Sequence, residues 1–275
     1  MSSIPRAMTI AGSDSGGGAG IQADLKTFTV LGVYGTSVIV ALTAQNTLGV
    51  TGIHAVPPEF AEAQLVAVLE DIGTDALKTG MLANAEIVRV VARVLRRHRE
   101  SQKGLANLVV DPVMVSKSGH ALLEREACTA LRSDLLPLAM VVTPNLFEAE
   151  VLTGERVGDM DEMRRAAALI HGMGPRYVVV KGGHLGGPAV DLMFDGNGFV
   201  EFRHDRIETR NTHGTGCTYS AAIAAFLARG LEPVEAVREA KEYVTAAIRG
   251  ALDIGGGHGP TNHMAWKEWG RGPCR

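Results

Sequence analysis

Short runs of β-branched and aliphatic residues alternate along this chain with longer amphipathic segments. Residues 108–111 and 177–181 are two such runs, and each is followed by a polar or glycine-rich turn. The alternation is typical of parallel strands joined by helices. The sequence therefore predicts a layered α/β fold, in which helices flank a central, mostly parallel sheet. Ligands are expected at the turns that follow the strands.

The same pattern gives the approximate bounds of the elements. Strands are predicted at residues 8–11, 35–42, 76–78, 108–111, 140–143 and 177–181. Helices are predicted at residues 20–31, 58–72, 85–98, 124–136, 146–152, 160–171, 216–228 and 234–251. In the segment 190–207, the turn Asp195-Gly196-Asn197-Gly198 separates two extended runs, which predicts a hairpin near one edge of the sheet. The whole chain of 275 residues is expected to form a single domain, with a core at about 7–260 and a C-terminal tail at 261–275.

The composition is that of a soluble globular protein, with 46% apolar residues, 21% charged residues and a net charge of −3. This charge gives no electrostatic reason to expect nucleic acid as a partner. No apolar run approaches the roughly eighteen residues that span a membrane, and no signal pattern is visible, so a cytoplasmic location is expected. The odd set Cys128, Cys217 and Cys274 lacks metal-type spacing and fits a reducing compartment, with Cys274 in a mobile tail.

The run Gly214-Thr215-Gly216-Cys217 stands at the start of a predicted helix of small residues. Its glycines allow the backbone to approach an anion, and the helix N-terminus favours negative charge. The sequence therefore predicts a phosphate-transfer turn in which the thiolate of Cys217 is stabilised. The alternative is an ordinary helix N-cap followed by a buried cysteine. His213 is expected to have a structural role in this turn.

A second glycine-dense turn, at residues 11–24, lies between the first predicted strand and helix. It resembles a nucleotide-binding loop, but it lacks the terminal Lys-Ser or Lys-Thr of a Walker A motif, and the chain has no dinucleotide fingerprint. The glycines are expected to let the chain wrap closely over a flat substrate, with Asp24 projecting into the same pocket. The alternative is that Asp24 is a solvated aspartate in the first turn of the helix.

Three segments together resemble the hydroxymethylpyrimidine and phosphomethylpyrimidine kinases, a branch of the ribokinase-like superfamily. They are residues 11–24, the turn Ala44-Gln45-Asn46-Thr47, and residues 211–218. The similarity runs from about residue 7 to 259, and the run Gly256-Gly257-His258-Gly259-Pro260 is similar to the family's C-terminal signature. Gly-Thr-Gly belongs to the whole superfamily, where an aspartate is common at the place of Cys217. One departure is Ser15-Gly16, from which no specificity is inferred. The resemblance implies a three-layer ribokinase-like fold.

The resemblance also implies a reaction. The γ-phosphoryl group of ATP would pass to the hydroxymethyl group of 4-amino-5-hydroxymethyl-2-methylpyrimidine (HMP), and a second transfer would give the diphosphate, with Mg²⁺ as the metal. Two alternatives stay open: a pyridoxal or pyridoxine kinase, and a non-catalytic nucleotide-binding sensor. The family suggests a homodimer, in which the extended segment 47–56 supplies an interface strand.

Several residues are candidates for binding and converting the pyrimidine. The amide of Gln45 can match a ring nitrogen and an exocyclic amine, and Asp24 adds an acceptor. Their alternatives are a turn-capping glutamine and a surface aspartate. Cys217 is expected to accept the proton of the substrate hydroxyl or to orient that hydroxyl, while backbone amides from Gly214 to Cys217 stabilise the transferred phosphoryl group. The resemblance implies further substrate contacts from Gly12, Ala19, Met81 and Val113.

Oxygen ligands for Mg²⁺ are expected where two predicted strands end, at Asp111 and Glu148. Asn145, in the same segment as Glu148, is expected to contact the nucleotide. A turn before proline is an alternative explanation of Asp111, and helix capping is one of Asn145, whereas capping does not readily account for Glu148. Lys181 is expected to neutralise the ATP phosphates. The remaining nucleotide contacts are assigned to Thr212, Thr215 and Lys241.

Overall fold

The computed structural model describes residues 4–114, 125–183 and 185–266. Within these residues nine strands form one sheet. In chain order they are β1 (Arg6–Gly12), β2 (Tyr34–Asn46), β3 (Gly49–Ala55), β4 (Ala76–Thr79), β5 (Leu108–Val110), β6 (Val141–Val142), β7 (Tyr177–Lys181), β8 (Ala189–Phe194) and β9 (Phe199–His204). Across the sheet the order is β3-β2-β1-β4-β5-β6-β7-β8-β9. The six strands from β2 to β7 in this order are parallel, and β3, β8 and β9 are antiparallel to their neighbours.

Helices cover both faces of the sheet. They are α1 (Gly20–Val30), α2 (Pro58–Asp71), α3 (Ala85–His98), α4 (Arg125–Ala130), α5 (Leu146–Thr153), α6 (Met160–His171), α7 (Thr215–Ala228) and α8 (Pro233–Arg249). Apolar side chains of α1, α7 and α8 form one buried cluster with the sheet, and those of α2 to α6 form the other. The predicted three-layer α/β architecture, with a mostly parallel sheet between helices, is confirmed.

Helix α3 illustrates how the sequence produces these layers. Ile87, Val91 and Leu95 recur at helical spacing and are buried on one face. The side chain of Asn84 caps the helix by accepting a hydrogen bond from the N–H of Ile87, at 3.0 Å. The predicted bounds 85–98, and likewise 160–171 and 177–181, agree with the structure.

Other bounds differ from the prediction. β2 reaches Asn46 rather than residue 42, because it continues past its pairing with β1 as one arm of a hairpin with β3. The predicted helix 124–136 is interrupted, since α4 passes into a π-helical turn at Leu131–Leu135; residue 124 lies outside the described residues. The predicted hairpin at 190–207 is confirmed as β8 and β9. Cys274 lies outside the described residues.

The parallel strands β1, β4, β5, β6 and β7 all end at the same edge of the sheet, where the segments that follow them form a cavity. Open α/β sheets bind ligands at this edge. Across the described part of the chain, no helix is both long enough and apolar enough to cross a membrane.

Candidate active site

A cavity of about 1190 Å³ lies at the carboxyl ends of the parallel strands. It brings together fifteen of the sixteen residues that the sequence singled out. They are Gly12, Ala19, Gln45, Met81, Asp111, Val113, Asn145, Glu148, Lys181, Thr212, Gly214, Thr215, Gly216, Cys217 and Lys241. Residues that are more than two hundred positions apart in the chain therefore share one site.

Asp24 is the residue that the structure places elsewhere. Its side chain is fully buried, and both of its carboxylate oxygens bind the ammonium of Lys78, at 2.9 and 2.8 Å. Its Oδ2 atom also accepts a hydrogen bond from Thr9, at 2.6 Å. Neither the expected projection into the pocket nor the alternative of a solvated aspartate is correct. Asp24 therefore faces β1 and β4 and is not part of the cavity lining.

The predicted phosphate turn is formed at the start of α7. Gly214 is the N-cap and has a φ of +80°, a conformation that favours glycine. A Cβ atom at Gly214 would lie 1.7 Å from the carbonyl oxygen of Gly18, so no larger residue fits. The N–H groups of Gly216 and Cys217 lie in the first turn of α7, where the helix backbone provides no acceptors. The turn can therefore offer these donors to an anion.

Cys217 lies in this first turn, but its thiol is not activated by it. Burial raises the pKa of Cys217 to about 11. The positive charge of Lys78 and the N–H of Gly20 favour the thiolate, while the carboxylates of Asp24 and Asp111 oppose it. The prediction of a stabilised thiolate is therefore wrong. At neutral pH the cavity contains a neutral thiol at this position.

Lys181 joins two acidic side chains at the centre of the cavity. Its Nζ atom lies 3.0 Å from Asp111 Oδ1 and 3.9 Å from Glu148 Oε2. Although burial opposes ionisation of Asp111, the charges of Lys181 and Lys78 hold its pKa below the ordinary value. Burial raises the pKa of Glu148 to about 7, with Lys181 acting in the opposite direction. One carboxylate is thus firmly ionised, and the other titrates near neutrality.

Asn145 and Glu148 also form a capping box at the start of α5. The side chain of Asn145 accepts from the N–H of Glu148 at 2.9 Å, and Glu148 Oε2 accepts from the N–H of Asn145 at 2.8 Å. The view that capping does not account for Glu148 was wrong, since Glu148 occupies the N3 position of this motif. Both residues nevertheless line the cavity, so capping fixes side chains that face a ligand site.

Gln45 lies near the phosphate turn at one end of the cavity. Its Oε1 atom accepts a hydrogen bond from Thr43 at 3.1 Å, and its Nε2 atom lies 3.4 Å from His213 Nε2. His213 Nε2 is also 2.8 Å from Asp14 Oδ2. Sequence reasoning did not assign a role to Asp14. The available signal was its position in a glycine-rich turn, where aspartate often binds backbone N–H groups.

The opposite end of the cavity is lined by α8, β8 and the segment that follows β9. Here Lys241 Nζ lies 2.7 Å from Asp191 Oδ2, and both side chains are buried. Arg206 donates hydrogen bonds to the carbonyl oxygens of Gly183, at 2.8 Å, and Gly187, at 3.0 Å. The sequence did not single out Asp191 and Arg206, because no local motif surrounds them and their contacts join residues that are distant in the chain.

Comparison with known proteins identifies the family of this chain. A model of the phosphomethylpyrimidine kinase family matches residues 14–262. Over 268 residues the chain is 54% identical to the hydroxymethylpyrimidine/phosphomethylpyrimidine kinase of Rhizobium meliloti, covering 95% of this chain and 98% of that protein. Over 262 residues it is 55% identical to the thiamine biosynthesis bifunctional protein of Geobacter sulfurreducens, covering 95% of this chain. The chain spans about half of that longer protein, 52% of its length.

Among solved structures, an ADP complex of Bacillus subtilis pyridoxal kinase superposes with a TM-score of 0.89 at 42% identity, covering 96% of this chain and 99% of that one. The ribokinase-like fold and the kinase activity predicted from the sequence are confirmed by these similarities. The family match extends over nearly the whole cavity lining, from Asp14 in the glycine-rich loop to the segment that follows the phosphate turn. The chain belongs to the phosphomethylpyrimidine kinase family.

Proposed function

We propose that the protein transfers the γ-phosphoryl group of ATP to the hydroxymethyl group of HMP, and then a second phosphoryl group to the resulting phosphate ester. The observation that carries this proposal is the cavity itself, in which Gln45 and the phosphate turn lie side by side. The identities of 55% and 54% to a thiamine biosynthesis protein and an HMP kinase support the same substrate.

The acceptor is proposed to bind at the end of the cavity that contains Gln45. A primary amide provides one acceptor and two donors in a plane, which suits a ring nitrogen next to an exocyclic amine. Gly12, Ala19, Met81 and Val113 line the same cavity, and the Met81 side chain packs against Gly12, where a Cβ atom would lie 2.6 Å from Met81 Cε. Their small or apolar side chains suit contact with the face of an aromatic ring.

In the first transfer, the hydroxyl oxygen attacks the γ-phosphorus while the bond to the bridging oxygen breaks and ADP leaves. The hydroxyl proton passes to an oxygen of the transferred phosphoryl group or to water. The N–H groups of Gly216 and Cys217 stabilise the negative charge on the transferred group. Because a thiol with a pKa of about 11 is protonated at neutral pH, Cys217 is proposed to orient the hydroxyl rather than to deprotonate it before attack. In the second transfer, an oxygen of the phosphate ester takes the place of the hydroxyl.

The nucleotide is proposed to extend from the phosphate turn towards Lys241, with Lys181, Asn145, Thr212 and Thr215 near its phosphates. Among the described residues, no group of three or more His, Cys, Asp or Glu side chains is arranged to hold a metal ion. Two carboxylates do fit Mg²⁺, which is commonly held by one or two carboxylates together with substrate phosphates. Asp111 and Glu148 would hold it, and Mg²⁺ would neutralise charge on the phosphates of ATP.

A second candidate activity is phosphorylation of pyridoxal, because a pyridoxal kinase shares this fold at a TM-score of 0.89. The test is to incubate the purified protein with ATP and Mg²⁺ and either HMP or pyridoxal, and to follow the products by mass spectrometry. Successive mono- and diphosphates of HMP are expected. If pyridoxal phosphate is the sole product, pyridoxal replaces HMP as the substrate. If neither compound is phosphorylated, the result favours a nucleotide sensor.

We also propose that two copies associate through the hairpin formed by β2 and β3. This hairpin exposes Leu48 and Ile53, which are 72% and 49% accessible. The expected interface segment 47–56 consists of its turn, β3 and the residue that follows. Light scattering of the wild type and of Ile53→Lys is expected to give a dimer and a monomer, respectively. The enzyme is proposed to work in the cytoplasm, where ATP is available, and cell fractionation tests this location.

A further inference from the structure

Two segments of the cavity lining meet: the acceptor loop, residues 12–19, and the phosphate turn, residues 213–217. They are in direct contact. A Cβ atom at Gly18 would lie 2.5 Å from His213 Cδ2, and one at Gly214 would lie 1.7 Å from the carbonyl oxygen of Gly18. The glycines thus allow the two backbones to approach closely, but steric fit alone does not hold them together.

A single buried carboxylate joins the two segments. Asp14 Oδ1 accepts from the N–H of Gly16 at 2.8 Å, and Asp14 Oδ2 accepts from the N–H groups of Gly18 and Ala19 at 3.0 and 2.8 Å. The same Oδ2 atom lies 2.8 Å from His213 Nε2. Asp14 is only 2% accessible. It therefore shapes the acceptor loop and bonds this loop to the phosphate turn.

The charge state of Asp14 defines the direction of the bond to His213. Although burial raises the pKa of Asp14, its hydrogen bonds with His213 and Ala19 bring the pKa below the ordinary value. An ionised carboxylate only accepts hydrogen bonds, so the Nε2 atom of His213 must be the protonated one. Hydrogen bonds of this charge-assisted kind are stronger than neutral ones.

The backbone of His213 is held independently of its side chain. Its N–H donates to the carbonyl oxygen of Gly259 at 3.0 Å, and its own carbonyl oxygen accepts from the N–H of Thr261 at 3.2 Å. A substitution of the ring therefore leaves the turn attached to the C-terminal segment. The bond between Asp14 and His213 can be removed without removing these anchors.

We propose that Asp14 and His213 are positioning residues of the kinase reaction, whose hydrogen bond fixes the acceptor loop relative to the phosphate turn. This inference rests on the proposed function, in which the loop holds the phosphoryl acceptor and the turn holds the transferred group. Displacement of reacting groups by about 1 Å can lower a rate about 100-fold. A role of this kind affects kcat more than the binding of either substrate.

The test compares two substitutions of His213 in two backgrounds. The amide of His213→Gln can still donate to Asp14, whereas His213→Leu cannot. With HMP and ATP, kcat of His213→Leu is expected to be about 10-fold below that of His213→Gln, with KM values within about 3-fold. In an Asp14→Ala background, which removes the acceptor at position 14, the difference between Gln and Leu is expected to disappear, as required for two residues that act as one unit.

A matched control is Asp195→Asn. Asp195 accepts from the N–H groups of Asn197 and Gly198 in the hairpin of β8 and β9, outside the cavity lining, and its substitution is expected to leave kcat unchanged. Equal kcat values for the Gln and Leu variants, or a difference that persists with Ala at position 14, would overturn the positioning role alone. A wild type inactive on both HMP and pyridoxal would overturn the proposed function and the positioning role together. Thermal denaturation verifies that each variant is folded.

Discussion

Glu148 Oε2 lies 3.9 Å from the ammonium of Lys181, yet burial still raises the pKa of Glu148 to about 7. The opposing charge of Lys181 is thus outweighed by desolvation and by the neighbouring carboxylate of Asp111. The pair is a structural contact whose charge changes with pH in the neutral range.

Glu148→Gln should stabilise the protein at alkaline pH. Because the folded-state pKa lies above the ordinary value of 4.5, the folded state binds more protons than the unfolded state between about pH 4.5 and 7. Stability is therefore lost as pH rises through this window, and the Gln variant avoids the loss. The stability gained by the variant should grow by on the order of 2 kcal/mol between about pH 5 and 8. Urea denaturation without ATP or Mg²⁺ measures this change, and a pH-independent difference would contradict the assignment. Glu86→Gln, at an exposed position of α3, is the control.

Cys217 should react slowly with iodoacetamide in the folded protein. Since its pKa is raised to about 11, the thiolate fraction at pH 8 is expected to be about 100-fold below that of an ordinary thiol. Mass spectrometry of the peptide that contains Cys217 gives the alkylation rate of the folded protein. The rate for the protein unfolded in urea provides the reference. A folded-state rate equal to the rate in urea would contradict the raised pKa.

Lys78→Met should unfold far more easily than the wild type. It leaves the carboxylate of Asp24 buried without its partner, which costs about 3–5 kcal/mol. The double variant Lys78→Met/Asp24→Asn should recover part of this loss, because the unpaired charge is removed. Urea denaturation tests both, with Glu235→Gln as a control in the exposed pair with Arg238, where an effect below about 1 kcal/mol is expected. Equal losses for the Lys78 and Glu235 variants would argue against a stabilising buried pair.

Substitution by alanine should have different effects on activity at Gly214 and at Gly230. Both have a positive φ, of +80° and +86°, but only Gly214 faces a backbone atom, whereas nothing lies within 4 Å of a Cβ at Gly230. Gly230→Ala should cost about 1 kcal/mol and retain full activity, while Gly214→Ala should lower kcat by at least about 100-fold. Steady-state kinetics gives kcat and thermal denaturation gives the stability of both variants. An active Gly214→Ala enzyme would show that the close approach of Gly18 is dispensable.

The layers of the fold were predictable because they depend on local patterns. Strand 177–181 and helix 85–98 are marked by apolar periodicity and clear ends, and the structure reproduces both. The break after α4 was not predictable, because the residues of the π-helical turn have ordinary helix propensities. The full length of β2 was missed for a related reason: its last residues pair only with β3 and lack a buried face.

The cavity lining was largely predictable because family motifs mark the loops that follow strands. The protonation and the ion-pair partners of individual side chains were not predictable. The sequence placed Cys217 correctly at a helix N-terminus, but the desolvation that raises its pKa depends on segments from distant parts of the chain. Asp24 was likewise predicted in the right helix, and its true partner, Lys78, lies 54 positions away.

Among the residues that the structure describes, three lysines line the cavity, and each is paired with an aspartate: Lys78 with Asp24, Lys181 with Asp111, and Lys241 with Asp191. Each pair is neutral as a unit. A polyphosphate that engages any of these lysines therefore competes with a carboxylate already in place, so its association is an exchange of ionic partners. The affinity of the polyphosphate depends on the difference in free energy between the two sets of ion pairs. The cost of removing water from the lysine ammonium groups does not lower this affinity, because it arises when the protein folds.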